Sequence, residues 1–216
     1  MRKDWDQRAR ENARYYVVTD KTEWTDEEFF ASGELALSDH ILSDMGNICQ
    51  GRDPKSMRVL EIGCGAARVT RALAGLFGEV HGVDVSGNMI RLAREALAPF
   101  PNAHVYQNNG MDSSVLPELV FDFAFSTIVF QHIPSRPVIE SYIREVHRVL
   151  RPGALFKFEV QGARTDDTQA DTWVGVKVLP EEAQRMADAT GFELRYQVGA
   201  GTRTYWLWFF KPGSGQ

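Results

Sequence analysis

The chain has 216 residues, with 24 Lys plus Arg against 29 Asp plus Glu, so its net charge is −5 near neutral pH with the histidines uncharged. Hydrophobic residues at 44% and charged residues at 25% exclude disordered, collagen-like and coiled-coil classes and predict a full core in one domain with an appendage. The acidic balance, with no block of basic residues, excludes the footprint of a protein that grips nucleic acid by its phosphates.

Two cysteines, Cys49 and Cys64, stand apart with no second pair and no histidine at zinc-like spacing, so neither a disulfide framework nor a metal site is expected. The first thirty residues alternate charge with aromatics and contain no apolar stretch of signal-peptide type. The runs FAFSTIVF and YWLWFF are far short of the roughly 20 residues that span a bilayer. A soluble protein in the reducing cytoplasm, without a membrane role, is the expectation.

In chain order, residues 4–16 read as a charged helix. Thr25-Asp26-Glu27-Glu28 is a capping box that opens a second helix, with Leu37, Ile41, Leu42 and Met45 on its apolar face and Gly46 at its end. Residues 51–56 are the expected linker, which divides the chain into an N-terminal helical cap or lid (1–50) and an α/β part (51–216). From Arg58 onward short apolar runs alternate with helical stretches, the signature of parallel βαβ units. Strands are expected at 59–62, 79–85, 103–107, 121–125 and 154–160. Helices are expected at 66–76, from the N-cap Ser86 through Leu97, and at 137–150, with Arg151-Pro152-Gly153 as a turn before the fifth strand. A last helix runs from Pro180 to Gly191. Strands 192–198 and 203–210, separated by Gly199-Ala200-Gly201, have no helix between them, so the last strand should return antiparallel.

The first strand runs into Glu61-Ile62-Gly63-Cys64-Gly65-Ala66-Ala67-Arg68, a glycine turn that lets backbone approach a ligand closely. Asp84, 19 residues past Gly65 at the end of the second strand, is placed to accept bonds from both hydroxyls of a ribose. The pair points to a nucleoside-containing cofactor. A dinucleotide fingerprint needs a third glycine where Arg68 stands. Glu61 adds negative charge unsuited to a pyrophosphate but suited to an ammonium group.

VLEIGCGAARVT resembles the first motif of class I S-adenosylmethionine-dependent methyltransferases, with Ala67 where a third glycine is usual. The resemblance continues through HGVDVSGNMI, QNNGMD, FDFAFSTIVFQHIP and EVHRVLRPGALFKFEV, over about residues 57–160. It implies a Rossmann-like three-layer sandwich whose seven-stranded, mostly parallel sheet has its last strand antiparallel. It further implies S-adenosyl-L-methionine as cofactor and S-adenosyl-L-homocysteine as product. By position it places Glu61, Gly63, Cys64 and Gly65 around the methionine part, Asp84 and Val85 at the ribose, and Met89, Asn109, Gly110 and Met111 near the adenine. Asp112 is a second candidate for the adenine contact, and a capped turn is the alternative reading of the asparagines.

Ser126, Phe130, Gln131 and His132 follow the fourth strand, at the carboxyl edge where open α/β sheets hold ligands. His132 is the candidate general base; a histidine bonded to backbone at a helix entry is the equal alternative. Direct displacement onto an already nucleophilic acceptor needs no base, since alignment supplies much of the acceleration. Motifs of base, pyrimidine-carbon and arginine methylation are missing, and FSTIVFQHIP resembles the type 11/12 branch that acts on small molecules.

The N-terminal helices and residues 161–179 are the segments able to cover the site. Trp5, Tyr15, Tyr16, Trp24 and Trp173 serve either as lid or as anchors. Arg10, Arg14 and Arg164 are candidates for an acidic group. A small-molecule acceptor is the expected partner, nucleic acid and membrane are not, and either a monomer or a homodimer fits. The rival readings are an NAD(P)-dependent oxidoreductase and a non-catalytic protein that binds the same cofactor.

Overall fold

A computed structural model describes residues 1–111, 115–116, 120–163 and 170–213, and the chain forms two compact units, Met1–Gly110 and Met111–Gln216. The sequence-level candidates Asp112 and Arg164 lie outside the described residues. Seven strands form one sheet in the order β3-β2-β1-β4-β5-β7-β6. The strands are β1 Arg58–Ile62, β2 Glu79–Asp84, β3 Ala103–Gln107, β4 Phe121–Ser126, β5 Leu150–Val160, β6 Glu193–Val198 and β7 Tyr205–Phe210. β1, β2 and β3 pair in parallel, as do β4 and β5, whereas β7 is antiparallel to both β5 and β6. The expected mostly parallel sheet with an antiparallel closing strand is what the chain forms.

In the first unit α1 (Arg2–Val17), α2 (Asp26–His40) and α3 (Met45–Cys49) precede β1, while α4 (Arg68–Leu76) and α5 (Gly87–Ala96) follow β1 and β2. α4 and α5 cover one face of the three strands, joined by the buried cluster Cys64, Ala67, Ile90, Ala93, Leu97 and Val105. Thr25 caps α2 with both bonds of the capping box: Glu28 N–H donates to its hydroxyl, and Thr25 N–H donates to the Glu28 carboxylate.

Two details of this unit differ from the sequence reading. The second helix breaks after His40 rather than running to Gly46. A 3-10 turn at Leu42–Asp44 swings Ile41 into the core and leaves Leu42 49% exposed, and the chain stops at left-handed Gln50 and Gly51. α4 begins at Arg68, not Ala66, because Ala67 is left-handed at φ 67.

α2 sits on the start of α4 through a contact only glycine permits. A Cβ on Gly33 would lie 1.9 Å from the Arg68 carbonyl oxygen. Arg68 is itself buried, and its guanidinium donates to the Ser32 carbonyl at 3.0 Å. The residue that replaces the third glycine of a dinucleotide loop is therefore an anchor for the N-terminal segment.

In the second unit α6 (Arg136–Val149) and α7 (Pro180–Thr190) pack with an aromatic core in which Phe130 meets Tyr142, Phe156 and Phe158, and Phe192 meets Phe156 and Phe209. Arg151-Pro152-Gly153 is a bulge inside β5, not a turn before it. Phe121 pairs with Leu150 and Phe123 with Leu155, and Gly153 at φ 79 donates its N–H to the Lys211 carbonyl. Among the described residues no helix is long and apolar enough to cross a membrane.

Gly33→Ala should lower unfolding free energy by about 1–3 kcal/mol, the scale of overpacking a filled contact. Gly75→Ala is the control: it lies in α4 with nothing within 4 Å of the added Cβ and should be neutral or stabilise by up to about 1 kcal/mol. Urea unfolding of both variants checks this.

Candidate active site

The first unit assembles its ligand-type residues where β1 and β2 end. The chain leaves β1 through Gly63 (φ 76) and Gly65 (φ 52), a left-handed pair that side chains disfavour. The turn is held to the neighbouring strand from both sides. Gly63 and Cys64 N–H groups donate to the Val83 carbonyl at 2.8 and 3.0 Å. Gly65 N–H donates to Asp84 Oδ2 at 3.0 Å, and Ser86 N–H donates to Asp84 Oδ1 at 2.8 Å. Each oxygen keeps a lone-pair direction for a ligand hydroxyl.

Burial pushes the Asp84 carboxyl up to about 6, against the pull of the Ser86 and Gly65 amides. Glu61, 3% exposed at the end of β1, accepts a bond from the Thr70 hydroxyl at 2.6 Å. Burial drives it up to about 7, with the Thr70 bond and the Arg68 charge opposing. Two carboxylates thus flank one glycine turn in a setting that charges them reluctantly, which is favourable ground for a cation. Cys64 is buried against Gly82, and burial with the nearby Asp84 and Glu61 charges raises its thiol far from reactivity.

β3 feeds the same end of the unit. Asn108 donates its N–H to the Asp84 carbonyl at 2.9 Å, and its side-chain oxygen accepts the Gly110 N–H at 3.1 Å. Asn108 is buried, whereas Asn109 is exposed and Met111 is 62% exposed. Gly110, at φ 79, would place a Cβ 2.8 Å from Val85. The asparagine turn was legible as Asn-Asn-Gly, but which asparagine turns inward depends on the sheet register. Met89 is buried with Ala9, Val18, Phe29 and Ala66, in the cluster that joins the N-terminal helices to α5.

Sequence reasoning did not single out Asp6. From α1 it accepts the Ser86 hydroxyl at 2.6 Å and the Asn88 N–H at 3.3 Å, at the start of α5. Burial would raise its carboxyl, yet the Ser86 and Asn88 bonds and Arg2 bring it below the usual range. α1 also reaches the glycine turn, since Val17 Cγ2 lies 3.0 Å from where a Gly65 Cβ would be.

In the second unit the segment after β4 is fixed in an unusual backbone. Ile128 has φ 57, which a β-branched residue adopts only under constraint. The constraint is Glu159, 3% exposed on β5, which accepts the Ile128 N–H and the Thr127 hydroxyl. Ser126 and Phe130 are fully buried, and Gln131 is partly buried. His132 is 7% exposed; its Nδ1–H donates to the Trp173 carbonyl at 2.7 Å, and the Gln131 amide lies 3.4 Å from Nε2. That donation fixes the tautomer with the lone pair on Nε2. Residues 171–176 lie on this segment, with Gly175 N–H donating to the Gln131 carbonyl and Val176 N–H to the Ile133 carbonyl.

Residues 59–153 match the family model described as a methyltransferase domain. A demethylmenaquinone methyltransferase of Lysinibacillus sphaericus is 31% identical over 45% of this chain and 42% of its own length. A sterol methyltransferase-like protein of Botryococcus braunii is 26% identical over 93% of this chain and 56% of its own. The chain thus spans about half the length of the curated relatives it matches. Among solved structures, the magnesium protoporphyrin IX methyltransferase of Synechocystis with bound S-adenosylhomocysteine superposes at a TM-score of 0.67, with 14% identity and 97% of each chain covered. That likeness shows the fold, and residues 59–153 carry the sequence match to a methyltransferase domain.

Proposed function

We propose that the protein transfers a methyl group from S-adenosyl-L-methionine to a small-molecule acceptor by direct displacement. The observation that carries this reading is the pair Glu61 and Asp84 flanking a glycine turn. One carboxylate suits a ligand ammonium, the other a ribose diol, and nothing in the turn suits a pyrophosphate. This donor set argues against the nicotinamide alternative. When bound, the cofactor would supply an electrophilic sulfonium methyl, whose carbon–sulfur bond pair stays with sulfur as the acceptor's lone pair bonds the methyl carbon, leaving S-adenosyl-L-homocysteine.

This chain's own part is to bind, orient and exclude water. Asp84, pinned by two backbone amides, presents fixed acceptors to the ribose. Gly63 and Gly65 give the ligand access to backbone, with Cys64 and Val85 as turn neighbours, and Glu61 holds the ammonium. Asn109, Gly110, Met111 and Met89 are the candidate adenine side. In the second unit Ser126 and Gln131 are candidates to face the cofactor, and His132 is the candidate to face the acceptor. His132 Nε2 would take the proton from an acceptor that must lose one.

Residues 1–50 act as the cap in this reading, supported by the contacts of Asp6 with Ser86 and of Val17 with Gly65. A 640 Å³ pocket lies between these residues and α5, lined by Ala9, Ala13, Trp24, Phe30, Ala66 and Leu92. Trp24 Nε1 is buried there without a hydrogen-bond partner, ready for one acceptor atom of a ligand. The acidic balance supports a freely diffusing acceptor rather than nucleic acid.

The direct test is calorimetric titration with S-adenosylhomocysteine, with NADH and NADPH as controls. Selective binding of the first at about micromolar strength is expected; preference for a nicotinamide cofactor overturns the reading. Asp84→Ala should weaken that binding by about 1.5–3 kcal/mol, the scale of bonds to a charged group, with the fold intact by circular dichroism. For His132→Ala, measured with an acceptor found by labelled-methyl screening, turnover should fall about 100-fold or more while S-adenosylhomocysteine affinity holds. Full turnover would leave His132 only its bond to Trp173.

The pH dependence follows from the raised carboxyls. Between about pH 4 and pH 7 the folded chain holds protons on Glu61 and Asp84 that the unfolded chain releases. The free protein should therefore lose stability as pH rises through that window. The ligand's ammonium stabilises ionised Glu61, so the melting-temperature gain from S-adenosylhomocysteine should grow over the same range. Thermal scans with Glu61→Gln as control test this, and an equal slope in variant and parent counts against it.

A further inference from the structure

At the opposite end of β2 from Asp84 lies a cluster that the methyl-transfer reading does not use. Glu79 and His81 are two residues apart on β2, so their side chains share one face of the sheet. His104 on the edge strand β3 is the register partner of His81. Glu79 Oε1 lies 2.7 Å from His81 Nε2 and 4.0 Å from His104 Nε2. One ligand atom from each of the three lies within 4.8 Å of the others, and among the described residues no other histidine, cysteine and carboxylate group closes in this way.

We propose that Glu79, His81 and His104 form a binding site for a divalent transition-metal ion of the zinc type, with water in the fourth position. Two imidazoles and one carboxylate are a donor set that borderline-soft metals favour. Tetrahedral bonds of about 2.0–2.1 Å put neighbouring donors roughly 3.3 Å apart. The 2.7 and 4.0 Å separations bracket that spacing, and the His104 side chain, 44% exposed, is free to swing in and gives the ion a way in.

The surroundings are built around the buried ligand. His81 is 2% exposed, stacks on the Tyr106 ring at 5.8 Å, and has Nδ1 3.2 Å from the Tyr106 hydroxyl. When Nε2 takes the metal, the ring proton sits on Nδ1 and is donated to the Tyr106 oxygen. This is how outer partners fix the tautomer of a ligating histidine. Arg58 Nε donates to Glu79 Oε2 at 2.8 Å, which leaves Oε1 as a single donor atom. The guanidinium charge opposes a second cation, so affinity belongs in the micromolar rather than the nanomolar range. The ion would clamp edge strand β3 to β2.

The inference stands apart from the methyltransferase reading, and its test needs no turnover. Untagged protein, dialysed against chelator, is titrated with Zn²⁺ at pH 7.5 by calorimetry, and with Co²⁺ by visible absorption. One equivalent should bind, with Co²⁺ bands that Zn²⁺ bleaches. His104→Ala should lower affinity about 100-fold or more, and Tyr106→Phe, which removes only the outer partner, by about 10-fold. Because the His104 ring is 44% exposed on an edge strand, that variant should melt close to the parent when metal is absent. Absence of saturable binding in the parent overturns the proposal, as does full affinity in His104→Ala, which would put the ion elsewhere.

Discussion

The first unit depends on one carboxylate. Asp84 accepts the Gly65 amide with one oxygen and the Ser86 amide with the other, so the turn after β1 and the start of α5 are set by the same side chain. The Ser86 hydroxyl extends the chain of bonds to Asp6 and so to α1. Helix dipole, turn geometry and cap position are therefore not independent choices. Holding this carboxylate away from water is what raises its proton affinity, and the same desolvation makes it a strong acceptor once a ligand hydroxyl arrives.

Much of this architecture was legible in the residues because its causes are local. Thr25 three residues before Glu28, Ser86 before an apolar helical stretch, and glycines between a strand and a helix each act over a few positions. Their capping and turn geometry appears as read. The order of apolar runs likewise sufficed for seven strands and for the antiparallel close of the sheet.

What escaped the sequence depends on contacts between distant segments. Gly33 looks like an indifferent glycine in a helix until the Arg68 carbonyl is found against it. Arg68 reads as a departure from a glycine pattern until its guanidinium meets Ser32. Asn108 and Asn109 cannot be told apart without the register that sends one inward. Arg151-Pro152-Gly153 has turn chemistry, but pairing with Phe121 keeps Leu150 in the strand and converts the turn into a bulge. Glu79, His81 and His104 show no metal-like spacing, because the helix-bearing connection between β2 and β3 separates the third from the others.

The left-handed Ile128 ties two positions 31 residues apart into one inherited unit. With isoleucine at 128, an acceptor at 159 is needed to hold the amide in place, so position 159 is not free to drift. A glycine at 128 would adopt the same backbone unaided and release 159 to other uses. Among descendants of such a chain, the two sites should change in a fixed order: glycine first, loss of the glutamate second.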